Sequence, residues 1–287
     1  IMLAAFNQLG YSVEWRVINA ADYGRAQRRR RVFFFVFRND TKWGKRLHTK
    51  YEATLSVDAD IKARLDCYAP YIFKDGLFGR QFPVKNEAVK KRINANKLDE
   101  DIAEVSANFS DGKMWNSGLM TNGYYYTIEI EPKGDEEPIP MKKIVVKENQ
   151  VPEDYYIDGE KLEKFKYLRG PKKITRTAAN GHTYTFSEGG MSEYDSLELP
   201  GRTMLTSEGS VNRSTHLLKI DGKYRLITPI EAERLQDFPD DWTRYKRNAK
   251  GEVVEVSDRM RMFFMGNALV TGIVKRIGDE LQKIDAI

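Results

Sequence analysis

The sequence is poor in cysteine and histidine and contains no long apolar run. Its single cysteine, Cys67, excludes an intrachain disulfide, and three scattered histidines (His48, His182, His216) form no familiar zinc pattern. No metal is therefore expected. The longest apolar runs, 1–6 and 32–37, fall far short of the roughly 20 residues a membrane-spanning helix needs, so no membrane partner is expected. No charged-then-apolar leader opens the chain, and a reducing, cytoplasmic compartment is the expectation. Ile1 in place of Met hints at a missing upstream segment, although Met2 can equally be a native start. Charge is also nearly balanced: 47 Lys+Arg against 42 Asp+Glu gives +5, which permits a nucleic-acid partner without requiring one. What remains is ordinary for a folded chain. Of 287 residues, 41% are hydrophobic and 31% charged, which argues against wholesale disorder and allows one large domain or two smaller ones.

The pattern changes along the chain. Met2, Leu3, Phe6 and Leu9 form a short helical stripe ended by Gly10. Val13, Trp15 and Val17 alternate with polar residues, which predicts a strand with one buried face. The run Val32–Phe37 is continuously apolar, which predicts a strand buried on both faces. The polar residues that follow cannot cover it, so distant segments or another polypeptide must. Residues 57–66 and 86–105 carry charged helical patterns. Asn122-Gly123, Asn180-Gly181 and Asp221-Gly222 are two-residue hairpin signals between β-rich stretches. Residues 132–142 read as a surface loop. Thr228-Pro229-Ile230-Glu231 is a helix start, with Thr as cap, Pro first and Glu three after the cap. Residues 244–255 read as a charged loop or hairpin. Gly266-Asn267 precedes an apolar stripe at Val270, Ile273, Val274, Ile277 and Leu281, which predicts a terminal helix.

Several motifs can carry chemistry, and each also has an ordinary reading. Gln27-Arg28-Arg29-Arg30-Arg31 offers guanidinium forks to phosphate oxygens or base carbonyls, or is a solvated basic turn. The stretch 202–209 mixes Arg, Thr, Ser and Gly as backbone-contacting segments do, and as ordinary turns do. Gly266-Asn267 can present free N–H groups to a ligand, or simply start a helix. Cys67 reads as a bystander, because adjacent Asp66 opposes thiolate formation. Tyr124–Tyr126 and Tyr155-Tyr156 read as strand packing rather than base stacking.

In order and spacing these segments resemble one family. Asn19-Ala20-Ala21-Asp22-Tyr23-Gly24-Arg25-Ala26-Gln27-Arg28-Arg29-Arg30-Arg31-Val32 resembles motif VIII of the DNA cytosine-5 methyltransferases. Residues 225–240 resemble motif IX, and Gly266-Asn267-Ala268-Leu269-Val270 with its helix resembles motif X. The matching segments cover about 1–40 and 200–287, and the stretch between them corresponds by position to the target-recognition region.

The resemblance implies roles. Arg29 and Arg31 would lie at the active site, Arg31 hydrogen-bonding O2 of a flipped cytosine. Thr203, in Thr203-Met204, would contact a phosphate, and Gln27 is placed on the DNA side as well. Asn267 and Ala268 would line the pocket of S-adenosyl-L-methionine, the methyl donor, and Arg234 would brace the recognition region. The implied fold is α/β: the edge of a Rossmann-like methyltransferase sheet domain (1–40), a β-rich target-recognition domain with helical insertions (41–260), and a motif X helix (261–287) returning to the sheet domain. The family's cofactor loop, Pro-Cys nucleophile and Glu-Asn-Val acid have no counterpart in this sequence, and Cys67 follows Asp66 rather than Pro. The expectation is therefore a C-terminal portion, inactive alone, whose partners are double-stranded DNA and an N-terminal catalytic half. A non-catalytic DNA-binding module built on the same fold is the alternative.

Overall fold

The computed structural model describes residues 1–53, 55–56, 59–85, 87–89, 92–98, 101–107 and 114–285. They form a mixed α/β chain of two compact units, each with its own apolar core. The first comprises 1–23, 30–137 and 273–287; the second comprises 24–29 and 138–272. The expected boundaries near 40 and 260 are not where the chain divides. Two strands from beyond residue 110 pair into the sheet begun by the N-terminal segment, so that region belongs to the first unit.

In the first unit, α1 (Met2–Gln8) ends at Gly10, whose φ of +75° turns the chain into β1 (Tyr11–Asn19). β1 pairs antiparallel along its whole length with β2 (Arg30–Arg38). Three helices follow: α2 (Lys42–Glu52), α3 (Ile61–Pro70) and, after a π-turn at Tyr71–Asp75, α4 (Leu77–Gln81). Then come β3 (Ile93–Lys97), α5 (Ile102–Ala107), β4 (Ser117–Thr121) and β5 (Tyr124–Ile128). Asn122 and Gly123 both take positive φ (47° and 77°), so β4 and β5 join in the two-residue turn the sequence predicts. The sheet order is β2-β1-β4-β5-β3.

Three expectations for this unit need correction. The pattern over 86–105 is not helical throughout. Residues 93–97 form β3 against β5, where Tyr124–Tyr126 pack as strand residues, and a helix begins only at Ile102; residues 86, 90, 91, 99 and 100 lie outside the described set, as do 57 and 58. The run Val32–Phe37 is not buried on both faces. β2 lies at the end of the sheet order, and Val32 and Phe34 are 49% and 44% exposed, while Phe37 is buried. Leu3 and Phe6 of α1 pack on the Val13, Trp15 and Val36 end of the same face, and Val17 at the other end stays exposed.

The third correction concerns β1, which buries both faces. Ser12, Glu14 and Arg16 are as hidden as Val13 and Trp15. Glu14 accepts hydrogen bonds from the N–H groups of Leu77 and Phe78, both at 3.0 Å, and from the Tyr71 hydroxyl at 3.1 Å. α4 has no side-chain cap of its own, so a carboxylate from the sheet supplies it. Gly76 allows the approach, because a Cβ there would lie 2.6 Å from a Glu14 oxygen. Arg16 donates to the carbonyls of Phe82, at 3.0 Å, and Ile72. The helical insertion is thus fastened to the sheet through buried charge.

The second unit opens with loops and short 3-10 turns that bury Met141 and Ile144, within and beyond the expected surface loop. It contains β6 (Tyr156–Ile157), α6 (Gly159–Arg169), β7 (Lys172–Thr177), β8 (Thr183–Glu188), β9 (Leu217–Ile220) and β10 (Lys223–Leu226). Asp221-Gly222 makes the predicted two-residue turn, with φ of 47° and 82°. Asn180-Gly181 does not. It lies in a wider loop closed by Ala178 N–H on His182 O at 2.8 Å, with the Asn180 side chain taking the His182 N–H at 3.1 Å.

α7 (Pro229–Leu235) has the predicted capping box: Glu231 N–H donates to Thr228 Oγ1 at 3.3 Å and Thr228 N–H to Glu231 Oε2 at 2.8 Å. Glu231 also takes a buried bidentate pair from Arg225 at 2.6 and 2.8 Å. β11 (Tyr245–Arg247) and β12 (Val253–Glu255) form the charged hairpin, followed by α8 (Asp258–Asn267). Gly266-Asn267 therefore ends a helix instead of starting one. The terminal helix α9 (Thr271–Asp285) begins four residues after Asn267, with Val270 before it, Ile273 buried and Val274 exposed. From Ile273 on it belongs to the first unit, where Arg80 and Gln81 bond Glu280. No helix among the described residues is long and apolar enough to cross a membrane.

Candidate functional site

Segments far apart in sequence interlock inside the second unit, around Gly24–Arg29. This short stretch lies beside Gly201: Arg28 N–H donates to Gly201 O and Gly201 N–H to Ala26 O, both at 2.8 Å. Gln27 is buried. Its Oε1 accepts Met204 N–H at 2.9 Å and its Nε2 donates to Leu235 O at 3.1 Å. Arg29 is buried too, with one Nη on Met204 O and the other on Gly266 O, each at 2.8 Å. The Thr203 hydroxyl donates to Arg28 O at 2.6 Å. Gln236 joins α8 to the end of α7 through Met265 O at 2.6 Å. The motif VIII, Thr203-Met204, motif IX and motif X segments thus meet at one place.

Gly266 permits this closeness. A Cβ there would sit 2.5 Å from Leu205 C and closer still to Thr206 N, both backbone atoms that cannot swing aside. Gly266→Ala is expected to displace residues 205–206 and to cost about 1–3 kcal/mol, as overpacking does, read as a lower urea midpoint.

The predicted site residues do not share one environment. Gln27 and Arg29 are buried and hydrogen-bonded within the protein, so as placed neither presents its polar head to DNA or base. Thr203 is half-buried at the surface of this cluster. Asn267 is exposed at the last turn of α8, its Nδ2 on Phe263 O at 3.0 Å. Ala268 is half-buried, its N–H on Phe264 O at 2.9 Å. No free helix N-terminus is presented by this pair. Arg31 lies in β2 of the first unit, half-buried, with Nη1 on Arg30 O at 2.7 Å. Arg234 makes a bidentate pair with Asp240 at 2.6 and 2.7 Å and donates to Ile144 O at 2.9 Å, which ties α7 to the loop ahead of β6.

Cys67 donates to Tyr51 O, and burial together with the Glu52 charge pushes its thiol up. It is kept as a thiol, the opposite of what a nucleophile needs.

Two buried clusters escape sequence reading. The loop following Thr203 exposes Leu205, Thr206, Ser207, Gly209 and Ser210 but turns Glu208 inward, where Oε1 accepts His216 N–H at 2.5 Å and meets the ring Nδ1 at 2.9 Å. Asn212 Oδ1 holds the N–H groups of Ser214 and Thr215 at 2.8 and 3.1 Å, so the loop is preformed. Beneath it Asp195 takes Arg169 at 2.7 Å, Arg202 at 2.5 Å and Leu217 N–H at 2.9 Å. The partners stand 7 to 26 residues from Asp195, at no helix or strand period, so only the folded chain reveals them.

Burial alone would raise the Asp195 carboxyl, but the Arg202 hydrogen bond and the charges of His216, Arg202 and Arg169 outweigh it and hold the group well below the usual range. A depressed carboxyl contributes stability that is present above its unfolded value near pH 4 and is lost as pH falls through the folded value. Asp195→Asn is expected to lower stability at neutral pH and to flatten the fall below about pH 4, checked by urea unfolding against pH.

The chain is 48% identical over 287 residues to the type II methyltransferase M.Sau3AI of Staphylococcus aureus, an alignment that takes in all of this chain and 62% of that protein. The chain thus spans about three-fifths of the length of that relative. The profile of the C-5 cytosine-specific DNA methylases matches residues 1–283. The chain belongs to the C-5 cytosine-specific DNA methylase family.

Proposed function

We propose that this chain is the C-terminal part of a DNA (cytosine-5-)-methyltransferase of the modification type, acting on a flipped cytosine in a specific duplex site. The observation that carries the reading is the interlocking of the motif VIII, IX and X segments through Gln27, Arg29 and Thr203. The first unit would be the edge of the Rossmann-like sheet domain and the second the target-recognition domain. The attacking thiol would come from an N-terminal part, since Cys67 is held protonated. The end strand β2, with exposed Val32 and Phe34, supports a sheet that this part extends.

Each residue then has a task. A base inside the stack cannot be reached, so it is flipped out and read at its edge. Arg31 would donate to the ring O2 and favour the electron shift as the ring is attacked. It suits this because it stays charged. Arg29 and Gln27 would act one step back, fixing the backbone at Met204 and Gly266 and so the placement of Thr203 on a phosphate. Asn267 and Ala268 would line the methyl donor's pocket. They fit an edge contact, because the Asn267 amide is exposed at the end of α8. When bound, S-adenosyl-L-methionine supplies the electrophilic methyl group.

The test is transfer of labelled methyl to mixed-sequence duplex DNA. This chain alone is expected to transfer none, and an N-terminal part bearing a Pro-Cys motif is expected to restore transfer. Transfer by a species of this chain's mass alone overturns the placement of the nucleophile. No transfer after complementation overturns the reading as a whole.

A further inference from the structure

The β7–β8 ribbon is built unlike the rest of the second unit. Its strands pair in register from Lys172↔Glu188 to Thr177↔Thr183. One face carries Lys173, Thr175, Thr177, Thr183, Thr185 and Ser187, and all six are exposed. The other face carries Lys172, Ile174, Arg176, Tyr184, Phe186 and Glu188, of which Arg176 and Tyr184 are exposed and the rest partly covered. A two-stranded ribbon without a core is marginal on its own, and a hydroxyl face contributes little to folding. Its root is nevertheless held firmly. Glu188 is gripped by Arg213 at 2.5 Å and Lys172 at 3.3 Å, and Lys172 also donates to Leu168 O at 2.6 Å. Arg213 belongs to the loop that follows Thr203, so the ribbon projects from the structure that presents the proposed phosphate contact.

Its charge is also unanswered. Among the described residues Lys173 and Arg176 enter no ion pair, and Arg176 lies over the Phe186 ring at 4.0 Å. The other exposed hairpin, β11–β12, also has cations, Lys246 and Arg247, that enter no ion pair among the described residues, but its strands carry no serine or threonine. Lysine, arginine and hydroxyl groups are the donors that meet phosphate and base edges. Strands of this length span about 20 Å, and a two-stranded ribbon enters a DNA major groove about 12 Å wide.

We propose that the β7–β8 ribbon is a second duplex-DNA contact of this unit, with the Lys173 and threonine face against the groove and Arg176, which leaves the ribbon on its other face, on a phosphate at the groove's rim. The proposal rests on the methyltransferase reading and adds to it an element of DNA recognition.

The experiment uses this chain together with the N-terminal part that restores methyl transfer, and a mixed-sequence duplex as probe. Affinity is measured between about 50 and 200 mM salt. Lys173→Gln with Arg176→Gln is expected to weaken binding about tenfold and to reduce the salt slope by about 0.9 for each phosphate that the variant no longer neutralises. Thr175→Val with Thr185→Val is expected to weaken binding with the slope unchanged. Both pairs lie at exposed positions, so the thermal transition should stay with the parent. Parent-like affinity and slope in both variants overturn the ribbon proposal and leave the methyltransferase reading standing, because the parent still transfers methyl. A parent complex that binds no duplex overturns both.

Discussion

Glu14→Ala lowers the stability of the first unit by about 3 kcal/mol or more, the cost of leaving three buried donors without their acceptor. The carboxylate holds two N–H groups at the start of α4 and the Tyr71 hydroxyl. Removing it leaves those donors unpaired in the interior. Burial raises the Glu14 carboxyl, against the opposing pull of Arg16. The contribution of Glu14 is therefore full below the ordinary glutamate range and declines as pH rises through the folded value. Glu14→Gln loses less than alanine and removes that decline. Urea unfolding followed by tryptophan fluorescence reads the effect where it occurs, since Trp15, Trp43 and Trp115 lie in the first unit. A parent-like midpoint in Glu14→Ala would show that the insertion is held by its apolar contacts alone.

This residue also shows where sequence reading stops. The alternation over 11–17 correctly predicts a strand, but charge assigns Glu14 and Arg16 to solvent. Their partners, Leu77, Phe78, Ile72 and Phe82, stand 56 to 66 residues away, and no local period records them. The Val32–Phe37 run misleads in the opposite direction, because apolar composition reports a need for cover and not its presence. What is legible is local chemistry. Thr228 and Glu231 three residues apart make a capping box wherever a helix follows, and Asn122-Gly123 and Asp221-Gly222 accept positive φ at little cost. Asn180-Gly181 carries the same dipeptide type, yet a side-chain bond to His182 N–H opens a wider loop. The candidate site is legible as a set of segments but not as a division of labour. Gln27 and Arg29 lie in the same arginine-rich motif as Arg31, and nothing in the spacing says which guanidinium faces inward.

That division is testable with two neighbouring arginines. Arg29→Ala leaves the carbonyls of Met204 and Gly266 without their buried donors, and two unmade bonds to a charged group come to about 3 kcal/mol or more. The loss should appear as a lower unfolding midpoint of the second unit, and transfer should fall with the folded protein and with the placement of Thr203. Arg29→Lys should recover little, because an ammonium cannot reproduce a planar fork across two carbonyls. Arg31→Ala should do the reverse. It removes a half-buried side chain whose one bond among the described residues is to its neighbour's carbonyl, so the midpoint should move little. Methyl transfer by the completed enzyme should drop by about 10²–10³, the cost of removing one donor to a developing oxyanion. Equal stability losses in the two variants, or parent-like turnover in Arg31→Ala, would undo the assignment. Two residues apart on one unbroken strand, the side chains would share a face and an environment. Here the chain passes from the second unit into the first between them, so Arg29 is held in the interior of one while Arg31 stays half-buried on a strand of the other.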